Sequence, residues 1–165
     1  MNKFTIVEST NGHEIYVNLI VSPAGQYLSR HPHVINLIKE ALTTAELSGS
    51  RVVVEQDMGR GIGTTDIIVT TDKDVIYYAQ PVKTEVFSRF ARNKFPQVCQ
   101  TLTIIAEQDI EGNYEIRDTW VGPFSPPFPG DELETAESKA YWETHALVQD
   151  AQPIQSKTIT KVCPY

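Results

Sequence analysis

The dipeptide Asn11-Gly12 stands between two β-rich runs, FTIVES and HEIYVNLIV. Asparagine and glycine tolerate the positive φ that a type I′ turn needs at both central positions, and that turn has the twist of paired strands. An N-terminal β-hairpin follows, so the chain begins as antiparallel sheet. SPAG, residues 22–25, breaks the second strand. Behind Pro32, which suits a first helical turn, Val34, Ile35, Ile38, Ala41, Leu42 and Ala45 recur at helical spacing, and Gly49 supplies a stop.

Three short β-branched runs come next, RVVVEQ, DIIVTT and DVIYYAQ, separated by the glycine stretch GRGIGTTD and by Asp72-Lys73. Their spacing predicts a meander of antiparallel strands. KTEVFSRFARNKF reads as a short helix capped by Thr84, burying Val86, Phe87 and Phe90 and ended by Pro96. VCQTLTIIAEQ and NYEIRDTWVG form a second long hairpin around residues 109–112, with Gly112 in the turn. The segment 122–132, GPFSPPFPGDE, is too proline-rich for regular structure and is expected to run extended over the surface. A final helix capped by Thr135 or Asp131 would turn Ala136, Ala140, Trp142, Ala146 and Leu147 inward, and KTITKVCPY would add an edge strand. The expected architecture is a single α+β domain over residues 1–165, with hairpin, helix, meander sheet, proline-rich strap and C-terminal helix.

A chain of 165 residues with 41% hydrophobic and 21% charged residues is ordinary for a packed globular protein. The opening segment has one lysine and no unbroken apolar stretch, and no run approaches the roughly 18 apolar residues of a membrane helix. The expectation is a cytoplasmic protein without membrane contact. Two cysteines, Cys99 and Cys163, are too few for a disulfide framework or a structural zinc site. The net charge of −7 argues against general polyanion binding, yet it is unevenly placed. Residues 81–97 hold Lys83, Arg89, Arg92 and Lys94 against Glu85 alone, whereas residues 107–150 hold eleven acids against Arg117 and Lys139.

The glycines at 59, 61 and 63 match neither the P-loop nor the dinucleotide fingerprint, because no lysine follows and the next segment is a strand. The stretch reads as an inter-strand turn, with Arg60 at its tip as a ligand-touching arm. His31 and His33 flank Pro32 at a helix start; their spacing fits no zinc pattern, so they are read as a general base rather than as metal ligands. Arg89 and Arg92, three apart on the predicted helix, would clamp one phosphate with Lys94 nearby. Asp118, Thr119 and Trp120 end a strand that runs into Gly122-Pro123, a position where polar side chains often face a cleft. The strap contains P-x-x-P spacing, and its two phenylalanines suggest that it folds back on the body. No hydrolase signature, metal motif or cofactor fingerprint is present, and none of those groups is expected.

The order of these elements, a histidine-bearing helix (RHPHVINLIKEAL), a meander with a basic segment, then the pair LTIIAEQ and YEIRDTW, resembles the barnase–EndoU–RelE class of metal-independent ribonucleases over residues 31–122. The resemblance implies His31 or His33 as base, Arg89 with Arg92 or Lys94 on the phosphate, and Thr119 on a late strand. RNA would then bind at the basic segment, and its 2′-hydroxyl would attack the adjacent phosphate. The rival expectation is a non-catalytic binding or regulatory module that docks a basic protein partner through its acidic face.

Overall fold

The computed structural model describes residues 3–8 and 13–165. Within them the chain is α+β and divides into two compact units, residues 1–63 with 99–123, and residues 64–98 with 124–165. The chain crosses from one to the other three times.

The first unit is a five-stranded sheet with two helices. β1 (Lys3–Glu8) pairs antiparallel with β2 (Glu14–Asn18), as the N-terminal dipeptide predicts, although the turn at Asn11-Gly12 lies outside the described residues. β2 then pairs parallel with β10 (Tyr114–Val121), β10 antiparallel with β9 (Thr101–Gln108), and β9 antiparallel with β3 (Arg51–Asp57). The β9–β10 hairpin is the one the sequence predicts, with Gly112 at φ +85° in its turn. Ile15, Val17, Leu102, Ile104, Ala106, Tyr114 and Ile116 meet Ala24, Leu28, Val34, Ile38 and Ala41 from the helices in one core.

SPAG ends β2 and also starts a helix that the sequence reading does not contain, α1 (Pro23–Arg30). Ser22 is its N-cap: the hydroxyl accepts from the Gly25 amide at 2.9 Å and donates to the Asn18 carbonyl at 2.6 Å, with Pro23 in the first turn. The predicted helix behind Pro32 is α2 (Val34–Thr44). Gly25 allows α1 to lie directly on the end of β2, because a Cβ there would sit 2.2 Å from the Asn18 carbonyl oxygen and 2.6 Å from the Leu19 Cα.

A bulge sets the facing of β10. Arg117 and Asp118 together oppose Ile105, so the register shifts between Ile116 and Asp118. Tyr114 and Ile116 face the core before it, Thr119 and Val121 after it. Strict alternation would have turned Asp118 inward.

The second unit is a four-stranded sheet, β5 (Ile67–Val69), β11 (His145–Val148), β7 (Ser88–Ala91) and β6 (Ile76–Ala79), in that spatial order. β5–β11 and β6–β7 are antiparallel, β7–β11 parallel. The short strands β4 (Gly63–Thr65) and β8 (Gln97–Cys99) pair where the chain passes between units.

This arrangement corrects several expectations. RVVVEQ, DIIVTT and DVIYYAQ are strands, but not a meander: their partners are β9, β11 and β7. KTEVFSRFARNKF is a turn followed by β7 rather than a Thr84-capped helix, because Ser88, Phe90 and Ala91 are buried in a strand flanked on both sides. The final helix is only α3 (Ser138–Thr144), begun at Glu137 without a side-chain cap from Thr135 or Asp131. Trp142 packs inward, Ala136 and Ala140 are exposed, and Ala146 and Leu147 are buried on β11. Phe128 of the strap stacks on Trp142 at 3.8 Å, and the Trp142 indole donates to the Pro126 carbonyl at 3.0 Å, so the strap folds onto its own unit. KTITKVCPY contributes one isolated bridge, Thr160 to Tyr78, instead of a strand.

Since only backbone atoms surround the missing Cβ of Gly25, Gly25→Ala forces α1 off β2. It is expected to lower unfolding free energy by about 3 kcal/mol, read from the denaturant midpoint.

Candidate functional site

The residues singled out from the sequence fall into both units. His31, His33, Arg60, Asp118, Thr119 and Trp120 belong to the first, and Arg89, Arg92 and Lys94 to the second.

In the first unit the α1–α2 junction places the two histidines together at the surface. The His31 amide closes α1 by donating to the Tyr27 carbonyl at 2.9 Å, its ring lies 4.5 Å from the Tyr27 ring, and the His33 ring meets it edge-on at 6.1 Å. The Tyr27 hydroxyl accepts from the Val121 amide at 3.1 Å, which ties this junction to β10. Thr119 is not a cleft residue. The bulge turns it into the core, where it is 1% exposed and its hydroxyl donates to the Thr103 carbonyl at 2.9 Å. Trp120 donates its indole N–H to the Pro123 carbonyl at 3.0 Å.

Arg60 is also engaged. Its Nη1 and Nη2 donate to the two carboxylate oxygens of Glu40 on α2 at 2.8 and 2.7 Å, a fork that holds the Glu40 carboxyl below its ordinary pKa. Ile62 is buried in the core and its amide donates to the Cys99 carbonyl at 2.9 Å. GRGIGTTD is therefore a turn pinned at its tip and its base, not a free arm.

In the second unit, Arg89 and Arg92 do not share a face. Arg89 pairs with Tyr78 across the β6–β7 ladder, whereas Arg92 lies over the Tyr77 ring at 4.7 Å, and Tyr77 stacks on Phe90. Tyr77 and Tyr78 are consecutive on one strand and point to opposite sides of the sheet. The two guanidinium groups follow them, so the helical clamp expected of this pair has no geometric basis. Lys94 forms an ion pair with Asp74 at 3.0 Å. Arg89 Nη1 donates to Thr70 Oγ1 at 2.8 Å and to the His145 carbonyl at 2.9 Å. Among the described residues no group of three or more His, Cys, Asp or Glu side chains converges as a metal site.

Two groupings escape the sequence reading. One gathers Tyr78 and Tyr165 near Arg89, with Cys163 against the two tyrosines, which depends on long-range pairing that no local motif signals. The other is the Asp109–Asn113 turn, whose turn chemistry is legible but whose partner, Tyr16, lies 93 residues away.

Comparison with protein-family models, with curated proteins and with solved structures returns no match.

Asp118 is the polar residue here whose ionisation the fold opposes. Burial raises its pKa above the ordinary 3.8, only partly offset by the Thr119 amide, which donates to its Oδ1 at 2.9 Å. Between the unfolded and the raised native value the folded state holds more protons, so this group makes stability fall as pH rises through that window. Asp118→Asn keeps the acceptor and removes the charge. It should melt higher than wild type at neutral pH and coincide with it below pH 3.8, as thermal melts across pH would record.

Proposed function

We propose that the protein is a non-catalytic binding module that docks a basic protein partner through the acidic surface of its first unit. That unit carries eleven acidic and six basic residues, against ten and eight in the second.

The turn between β9 and β10 carries this reading. Asp109 Oδ1 accepts from the Glu111 and Asn113 amides at 2.9 and 3.0 Å, and its Oδ2 accepts from the Tyr16 hydroxyl at 2.9 Å. Burial alone would raise the Asp109 pKa, but these donors outweigh it and hold the carboxyl below its ordinary range. Burial, with the same bond, pushes the Tyr16 phenol up to about 12. The Gly112 amide donates to the Asp109 carbonyl at 3.1 Å, and Asn113 Oδ1 accepts from the Glu14 amide at 2.9 Å.

At the tip of this braced turn Ile110 is fully exposed, with Asp109 and Glu111 on either side. Glu111 forms no ion pair among the described residues. A rigid loop loses little conformational entropy on binding, and a protruding apolar side chain within an acidic rim complements an apolar pocket rimmed by Lys or Arg. Hydrolysis of RNA finds less support, because the Thr119 hydroxyl is engaged in the core and Arg89 and Arg92 diverge.

Affinity capture with wild type, Ile110→Ala and Glu111→Lys checks this reading. The expected outcome is one stoichiometric protein retained by wild type, bound about tenfold more weakly by each variant and released by added salt. Equal retention by all three proteins, salt-indifferent binding, or cleavage of RNA by the protein in EDTA would overturn it.

A further inference from the structure

Arg89 is a half-buried cation without an anion. It makes no ion pair with any described carboxylate, and the groups placed against it are the Thr70 hydroxyl, the His145 carbonyl and the Tyr78 and Tyr165 phenols. Its Nη1 is satisfied by Thr70 and His145, but its Nε is buried and has no hydrogen-bond partner among the described residues. The Tyr165 hydroxyl is in the same condition.

The ladder brings these two groups to one place. The Tyr78 amide donates to the Thr160 carbonyl at 2.7 Å, and the Thr160 amide donates back to the Tyr78 carbonyl at 2.8 Å. Both polar groups of the Tyr78 backbone therefore point to the outer edge of β6. Its pairing with Arg89 is then the non-hydrogen-bonded kind, in which facing side chains lie closest. The Tyr165 ring packs edge-on against Tyr78, with centroids 5.9 Å apart, so its hydroxyl and the Arg89 guanidinium share the same face of the β6–β7 pair. Further hydrogen bonds, Val82 to Pro153 at 3.0 Å and Gln155 to Gln80 at 2.8 Å, run residues 153–160 along this edge, and the Tyr165 ring brings the end of the segment onto the face of the pair.

A buried donor without an acceptor and a desolvated charge without a counter-charge are each unfavourable, and here they occur together. One group would relieve both. We propose that Arg89 Nε and the Tyr165 hydroxyl bind a small oxyanion, a phosphate or a carboxylate, beneath residues 161–165. Both donors are closed off from solvent, so the anion enters when that segment lifts from β6 and holds the segment down once bound. Val162 in that segment is exposed. The site is separate from the acidic turn of the first unit and stands or falls independently of partner docking.

Thermal melts of the full chain in inorganic phosphate, in acetate and in chloride at matched ionic strength test the proposal, with Tyr165→Phe and Arg89→Gln alongside wild type. Wild type should show a saturable rise in midpoint with phosphate or with acetate, and whichever saturates names the ligand chemistry. Tyr165→Phe removes a hydroxyl that has no partner, so in chloride it should be as stable as wild type or more so. Its apparent anion affinity should nevertheless fall about tenfold, and Arg89→Gln should abolish the response. Should Arg89→Gln fail to fold, Tyr165→Phe decides alone. A midpoint indifferent to both anions, as water in the seam would give, or an equal response in wild type and Tyr165→Phe, would overturn the proposal.

Discussion

The antiparallel ladder between β9 and β10 is the constraint on which the first unit rests. It supplies the two strands against which β2 and β3 align, one from each side, and its core-facing residues receive both helices. The bulge at Arg117 and Asp118 is the critical detail of that ladder. By adding one residue to β10 it exchanges the faces of everything after Ile116, which buries Thr119 and Val121 and keeps the Asp118 carboxylate out of the apolar layer. Two hydroxyls seal this end of the ladder: Thr119 donates to the Thr103 carbonyl, and Thr103 to the Gly122 carbonyl at 2.7 Å. Each bond gives a hydroxyl that the fold removes from water a backbone acceptor.

What could be read from the sequence follows the range of the interactions. The β9–β10 hairpin and α2 are local, and Gly112 and the spacing from Val34 to Ala45 announce them. The helix α1 was equally announced, by Ser22 and Pro23, but a stretch seen only as a strand breaker hides a cap. The meander was not legible, because β-branched composition says that a run is a strand without saying which strand it joins. Phe87 and Phe90 illustrate the same limit, since a spacing of three serves a helical face as well as a short strand flanked by a turn. At the candidate site, Thr119 was misplaced by one unseen residue of bulge, and Arg92 by a helix that is a strand. The Arg89 environment needed the pairing of residues 78, 89 and 160, which no local pattern encodes.

Charge is managed differently in the two units. In the first, the exposed Arg60 meets Glu40 on α2, Arg117 meets Glu115 on its own strand and Glu107 on β9, and the surplus is negative. Such exposed pairs add little stability, so their arrangement bears more on what approaches the surface than on the fold. In the second, opposite charges are nearly balanced in number, yet Arg89 forms no ion pair with a described acid. Balance in composition is thus compatible with a local excess, and it is the local field that a ligand meets.

The three crossings between units carry a consequence for how the chain is made. The first 63 residues leave the ribosome with β1, β2, both helices and β3, but β9 and β10, which lie between β2 and β3 in the finished sheet, follow only after residue 100. Until then two strand edges that end up interior have no partner, and the strands of the second unit are already emerging. That unit in turn waits for β11, the strand between β5 and β7. Neither half of the chain can therefore complete a sheet by itself. Synthesis and folding are coupled through long-range closures of the kind that slow folding and prolong the exposure of unpaired edges.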